Sequence, residues 1–268
     1  MQVNRLAPLQ GWRWVIEGFR LMKHMPFALI GLTVFFVLSI LLPSVLPLVG
    51  SFAPLFLTPA LSVGYMQGVR MSARNERPGP LVLFEGFRAD GGRHIKALVV
   101  LGAINCVLTS AVLAISMFAD GGTLFRVATG AIASDDPSLN DNALVTAALV
   151  FGALYAPVQM SMWYAPLFVV WHGQTAAKAM FFSLVAVWRN KWVFAVFMLG
   201  WFAIAVAASL GVQLLRGVVG STVMTLLVTP LSLVMLSSLY CSFWPTYRDA
   251  IAAPSNAPDA PDEHQTID

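Results

Sequence analysis

Charge is what this sequence has least of. Asp, Glu, Lys and Arg make up only 11% of its 268 residues, while 58% are hydrophobic. Soluble domains carry about 25% charged residues and about 45–50% apolar ones. With a mean hydropathy of +0.75, that balance excludes a soluble globular domain and a disordered chain. It describes a polytopic membrane protein. Cysteine is scarce too. Cys106 and Cys241 are too few for a disulfide framework. Both sit in apolar stretches, where a free thiol behaves as a small buried hydrophobe.

The missing charge is missing from particular places. A membrane helix needs about 20 mostly apolar residues, and six uncharged runs are that long. They are Phe27–Leu46, Gly50–Val69, Ala97–Phe118, Ala143–Trp171, Trp192–Leu215 and Thr222–Trp244. Pro43, Pro47, Gly50 and Ser51 read as the turn between the first two, and Pro26 as a first-turn proline. Between the third and fourth runs lies a polar stretch, Ala119–Asn142. Six crossings put both termini on one side. The basic residues say which: 14 of the 16 fall on the side of the termini, leaving only Arg126 and Arg216 opposite. The positive-inside rule makes that side cytoplasmic. Trp12, Trp14, Trp171, Trp188, Trp192 and Trp244 cluster at the same boundary. The first run is too long for a cleavable signal, and the Pro- and Asp-rich tail 252–268 reads as disordered.

A tetrapeptide repeats. Glu17-Gly18-Phe19-Arg20 recurs as Glu85-Gly86-Phe87-Arg88, and each copy precedes a run. Phe181–Lys191 is a looser third copy. The returning runs share proline-centred segments: Thr58-Pro59-Ala60-Leu61-Ser62, Ala156-Pro157 and Thr229-Pro230-Leu231-Ser232. The expectation is a single transmembrane domain, 1–251, of three hairpins at about 9–70, 81–171 and 176–248. Each hairpin is led by a surface segment. In the first segment, Trp12, Val15, Ile16, Phe19 and Met22 recur at helical spacing, with Arg13, Glu17, Arg20 and His24 opposite. That pattern is an interfacial helix on the inner leaflet. Its candidate lipid contacts are Trp12, Arg13, Trp14, Arg20 and Lys23. The later segments add Arg88, Arg93, Trp188, Arg189 and Lys191.

No Asp, Glu, Lys, Arg or His lies inside any of the six runs. Proton relays and ion-coupled transport ordinarily use such residues, and a transmembrane haem ordinarily uses histidine. His24, His94 and His172 sit at the boundary without metal-ligand spacing, so no metal and no cofactor is expected. Glu17 and Glu85 read as surface partners of Arg20 and Arg88 rather than a catalytic pair. No nucleophile elbow, phosphate loop or zinc-protease motif is present, and no enzyme is expected. Polar residues inside the runs, Thr58, Asn105, Tyr155, Gln159 and Thr229, are candidates for a polar cavity or for interhelical hydrogen bonds. Gly64 and Gly68, and the Ala203, Ala207, Gly211 stripe, read as close-packing faces.

Several residues together carry a resemblance. They are Val3, Gly11-Trp12-Arg13-Trp14-Val15, Gly18-Phe19, Pro26, Leu57-Thr58-Pro59-Ala60-Leu61, Gly64 and Tyr247-Arg248-Asp249. The sequence resembles an uncharacterised family of bacterial, mainly proteobacterial, six-span inner-membrane proteins named only after a locus tag. The resemblance covers nearly the whole chain. It implies an inner-membrane location and brings no catalytic residues with it. The expected fold is an all-α membrane helix bundle with amphipathic helices on the cytoplasmic side. The expected role is a scaffold or accessory protein binding membrane lipid, partner proteins or copies of itself, and no nucleic acid. The alternative is a carrier for a neutral or amphipathic small solute.

Overall fold

The computed structural model describes residues 2–46, 50, 52–129, 131, 136, 142–216 and 221–252. Among these the fold is helical, apart from a two-residue ladder that pairs β1 (Gln2–Val3) antiparallel with β2 (Ile251–Ala252). The expected disordered tail lies outside the described residues from 253 onward. Five helical stretches are long and apolar enough to cross a membrane: Pro26–Ser44, Ile95–Asp120, Asn142–His172, Lys191–Leu215 and Leu226–Ala250. The chain divides into two compact units, Met22–Trp188 and the pair Met1–Leu21 with Arg189–Asp268.

The unit Met22–Trp188 is built around one helix. Its elements are α2 (Pro26–Ser44), α3 (Ala53–Ala73), α4 (Glu85–Arg88) between two 3-10 turns, α5 (Ile95–Asp120), α6 (Thr123–Ala128), α7 (Asn142–Met162), α8 (Ala165–His172) and α9 (Ala176–Arg189). Helix α3 stands where the second apolar run was read, yet it is not among the five. It carries Gln67, Arg70 and Ser72, and α2, α5, α8 and the Pro80–Phe84 turn cover it. A helix coated by protein needs fewer apolar side chains than one facing lipid, and small residues let its neighbours approach. The Thr33 hydroxyl on α2 meets the Tyr65 hydroxyl on α3 at 2.7 Å, both buried.

Prolines act differently from place to place. Pro26 opens α2, where its missing N–H leaves no hydrogen bond unmade. Pro43, expected in a turn, lies inside the last turn of α2; Pro47 and Ser51 lie outside the described residues. Pro166 sits just after the break between α7 and α8. The polar stretch after α5 contains a short helix that sequence periodicity did not show. There Asp120 accepts hydrogen bonds from the backbone N–H of Gly122 (2.9 Å) and Leu124 (2.6 Å) and so starts α6.

The other unit comprises α1 (Gln10–His24, of which the part to Leu21 belongs here), α10 (Lys191–Arg216), α11 (Ser221–Cys241) and α12 (Phe243–Ala250). Its core forms around Trp14, whose ring meets Phe194 and Phe197 edge-on at 5.5 and 6.0 Å. Phe19 stacks on Trp201 at 5.3 Å. The small-residue stripe on α10 makes no internal seam among the described residues: Ala203 and Ala207 are exposed, and a side chain at Gly211 would meet nothing.

Candidate functional site

The surface segments are seated on the bundle by their smallest residues. A Cβ on Gly18 would come within 2.6 Å of the Ser238 carbonyl oxygen and of the Ser242 Cβ on α11 and its end. A Cβ on Gly86 would come within 2.6 Å of the Ala60 carbonyl oxygen on α3. The third segment has Ser183 instead. Its hydroxyl donates to the Met160 carbonyl at 2.8 Å and accepts from the Tyr164 N–H at 2.9 Å. Those two groups are separated as i and i+4, so an uninterrupted helix would join them directly. Ser183 is therefore inserted into the ladder where α7 gives way to α8. In each seat a small residue meets a long helix at a carbonyl, on α11, α3 and α7 in turn.

The first seat carries a polar clasp. The Asp249 Oδ2 atom accepts from Trp14 Nε1 (2.9 Å) and Gln10 Nε2 (2.8 Å), and Oδ1 accepts from Arg248 Nε (2.8 Å). The Arg248 guanidinium also forks onto Glu17, at 2.5 and 3.1 Å. Asn190 holds the N-terminal strand end: Nδ2 donates to the Asn4 carbonyl at 2.9 Å, and Oδ1 accepts from the Leu6 N–H at 3.0 Å. Gly11, Trp14, Gly18, Arg248 and Asp249, among the residues that carry the resemblance, all converge here.

This geometry corrects two sequence expectations. Trp14, counted as a lipid contact, is 0% exposed. The buried face of α1 runs through Gly11, Trp14, Val15, Gly18 and Met22, and α1 approaches α10 so closely that a Cβ on Gly11 would clash with the Val193 carbonyl. Glycine adds nothing to a hydrophobic periodicity but decides how closely two helices pack: of the periodic residues Val15 and Met22 are buried with Gly11 and Gly18, while Trp12 and Ile16 stay exposed. Glu17 pairs with Arg248, 231 residues away, rather than with Arg20; no ion pair joins Glu85 to Arg88 among the described residues.

The other lipid-contact candidates lie on the surface. Trp12 is 44% exposed, and Arg13, Arg20, Lys23, Arg88, Arg93, Trp188, Arg189 and Lys191 are all exposed. The Lys191 ammonium lies 5.8 Å from the Trp192 ring centre. The second segment departs from the first despite its identical tetrapeptide. It makes only the one-turn α4, which ends where Ala89 turns extended (ψ 135°) and Asp90 and Gly91 follow in left-handed backbone conformations. His24 bonds Asn75 at 2.7 Å and His94 bonds Asp90 at 3.1 Å. Among the described residues no three His, Cys, Asp or Glu side chains group to hold a metal ion.

Each of the five polar residues of the runs has its own surroundings. Thr58 donates back to the Pro54 carbonyl at 2.5 Å. Tyr155 stacks on Phe151 at 5.0 Å, Gln159 is half-buried, and Thr229 is exposed. Asn105 is the informative one. Its Nδ2 donates to the Leu55 carbonyl on α3 at 2.8 Å. Leu55 stands four residues before Pro59, whose nitrogen has no hydrogen to give. Asn105 replaces the bond that the proline removed.

The chain is 36% identical, over 271 residues covering 100% of both chains, to a Burkholderia thailandensis protein described as a probable inner membrane protein. No protein-family model and no solved structure matches it. With that identity along its full length and five helices fit to cross a bilayer, the chain is an inner-membrane protein and belongs to the same family as this bacterial relative.

Proposed function

We propose that the chain crosses the inner membrane six times with both termini in the cytoplasm, and acts there as a non-enzymatic scaffold or accessory protein. It binds lipid or partner proteins through its basic face. The observation that carries this reading is the way the surface segments are held. Their small residues are buried against the bundle, while Arg13, Arg20, Lys23, Arg88, Arg93, Arg189 and Lys191 stay exposed. An array of cations held close to a membrane attracts anionic headgroups and acidic partners alike.

Helix α3 is the sixth crossing in this reading. Its 21 residues extend about 30 Å at 1.5 Å per residue, the thickness of the hydrocarbon core. Its burial accounts for its lower apolarity. The three seats, each a small residue against a returning helix, support three hairpins in series. The solute-carrier alternative gains little, because Asn105 and Thr58 are engaged by backbone carbonyls.

The test uses the full-length protein in nanodiscs of mixed phosphatidylcholine and phosphatidylglycerol. Arg13, Arg20, Arg88 and Arg93 are changed together to Gln, and the lipid retained around the protein is quantified by mass spectrometry. Each cation near an anionic surface is worth ~1 kcal/mol, so phosphatidylglycerol enrichment is expected to fall severalfold. Unchanged enrichment, together with unchanged protein partners in pull-downs, would refute the proposal.

A further inference from the structure

We propose that the start of α9 forms a specific seat for an anionic phospholipid of the cytoplasmic leaflet, a site that rests on the membrane reading above. Helix α8 stops at Gly173, whose φ of +62° turns the chain, and α9 begins three residues later. At this corner Gln174, Ala177, Lys178, Phe181 and Phe182 line an open depression of about 530 Å³. That lies within the range of small-ligand sites, about 300–1,000 Å³.

The lining has the two-part chemistry of a lipid. Helix α9 buries Ala176, Ala179, Ser183, Ala186 and Val187 against the bundle. The opposite face therefore presents Phe181, 62% exposed, and Phe182, 37% exposed, whose rings meet edge-on at 5.9 Å. Two adjacent phenylalanines turned outward are unfavourable in water and suited to acyl chain. At the rim stand one cation, Lys178, and one carboxamide, Gln174. Lys178 has no ion pair among the described residues, and no acidic residue lines the depression. The corner also lies just past the end of an apolar stretch fit to cross the bilayer, Asn142–His172, which is headgroup depth. An ammonium at that depth above an aromatic floor complements a phosphodiester above its acyl chains. The phosphate rests on Lys178 with the Gln174 amide beside it, and an acyl chain runs along Phe181 and Phe182.

The experiment places the full-length protein in nanodiscs containing either phosphatidylglycerol or phosphatidylcholine with a diazirine near the carboxyl end of one acyl chain. After illumination, labelled residues are mapped by mass spectrometry. Phosphatidylglycerol is expected to label residues 174–182 about fivefold more than phosphatidylcholine. Lys178→Gln should abolish that preference while leaving any preference around residues 12–24 intact. Phe181→Ala should lower labelling by both lipids. Lys178 is exposed, so the fold is expected to survive, which circular dichroism and size-exclusion chromatography check. Equal labelling by the two lipids at 174–182, or a preference that survives Lys178→Gln, overturns the site. If a preference persists only at 12–24, the seat falls and the basic-face reading stands; if none appears anywhere, both fall. Cross-linking of a second protein chain at 174–182 in place of lipid would also overturn the proposal.

Discussion

Removing the Asn105 side chain tests whether a proline inside a helix of this inner-membrane protein is tolerated because a neighbouring helix repairs the damage. The Leu55 carbonyl has one strong partner across the helices, Asn105 Nδ2 at 2.8 Å, and Asn105 is 6% exposed, so water does not readily take over. Intramembrane side-chain hydrogen bonds average ~0.6 kcal/mol and reach ~1.7; leaving a buried acceptor unsatisfied costs about 1–3 kcal/mol. There is an offset: the Asn105 Oδ1 atom is itself buried without a partner, and Asn105→Ala removes that cost as well. The net loss expected for Asn105→Ala is therefore about 1 kcal/mol. The decisive comparison is in a Pro59→Ala background, where the restored N–H reaches Leu55 within the helix. There Asn105→Ala should cost close to nothing, giving a coupling of about 1 kcal/mol between residues 59 and 105. Reversible unfolding in mixed micelles, followed by circular dichroism against the mole fraction of denaturing detergent, measures all four corners of the cycle. A coupling below about 0.3 kcal/mol, within the range of independent sites, would refute the argument.

Gly18→Val forces a Cβ against the Ser238 carbonyl and should destabilise the unit containing α1 by about 1–3 kcal/mol or more; a change below ~0.5 kcal/mol in the same assay would contradict the seat. Ser183→Ala leaves the Met160 carbonyl and the Tyr164 N–H facing each other without a bridge, and a loss of about 1–2 kcal/mol is expected. Asp249→Ala strips Trp14 Nε1 and Gln10 of their acceptor, so Trp14 fluorescence should shift and α1 should become sensitive to limited proteolysis; unchanged proteolysis would count against the clasp. Single cysteines at Arg74 and Arg126, in a Cys106→Ala, Cys241→Ala background, should react with membrane-impermeant maleimide from opposite sides, with Arg74→Cys on the cytoplasmic side. Labelling of both from one side would overturn the proposed topology.

The long helices were legible because lipid exposure leaves a plain mark: an uncharged run as long as the bilayer is thick. Helix α3 was found in place but is less apolar, since hydropathy reports what a helix faces, and α3 faces protein. The short α6 was hidden because its start depends on one Asp120 carboxylate rather than on periodicity. The burial of Trp14 on α1 was hidden for a related reason. The contacts of α1 are made by Gly11 and Gly18, which have no side chain to count, and Trp14 finds its acceptor 235 residues further along the chain. Pairings of that range leave no local pattern. The repeated tetrapeptide did mark two of the seats, though not that the backbone turn at Ala89–Gly91 would cut the second segment to a single turn.

The clasp on Trp14 also sets an order of events during synthesis. Ribosomes add about 5–20 residues per second, and 235 residues separate Trp14 from Asp249, so α1 leaves the ribosome roughly 10–50 s before its acceptor exists. For most of that interval, until α10 is made, its indole and its two glycines have none of α10, α11 or α12 to pack on. An early helix with so late a partner must wait at the bilayer surface or in the hands of the insertion machinery. Until Arg248 and Asp249 have been made, the indole of Trp14 and the carboxylate of Glu17 have neither of the partners that hold them in the finished fold.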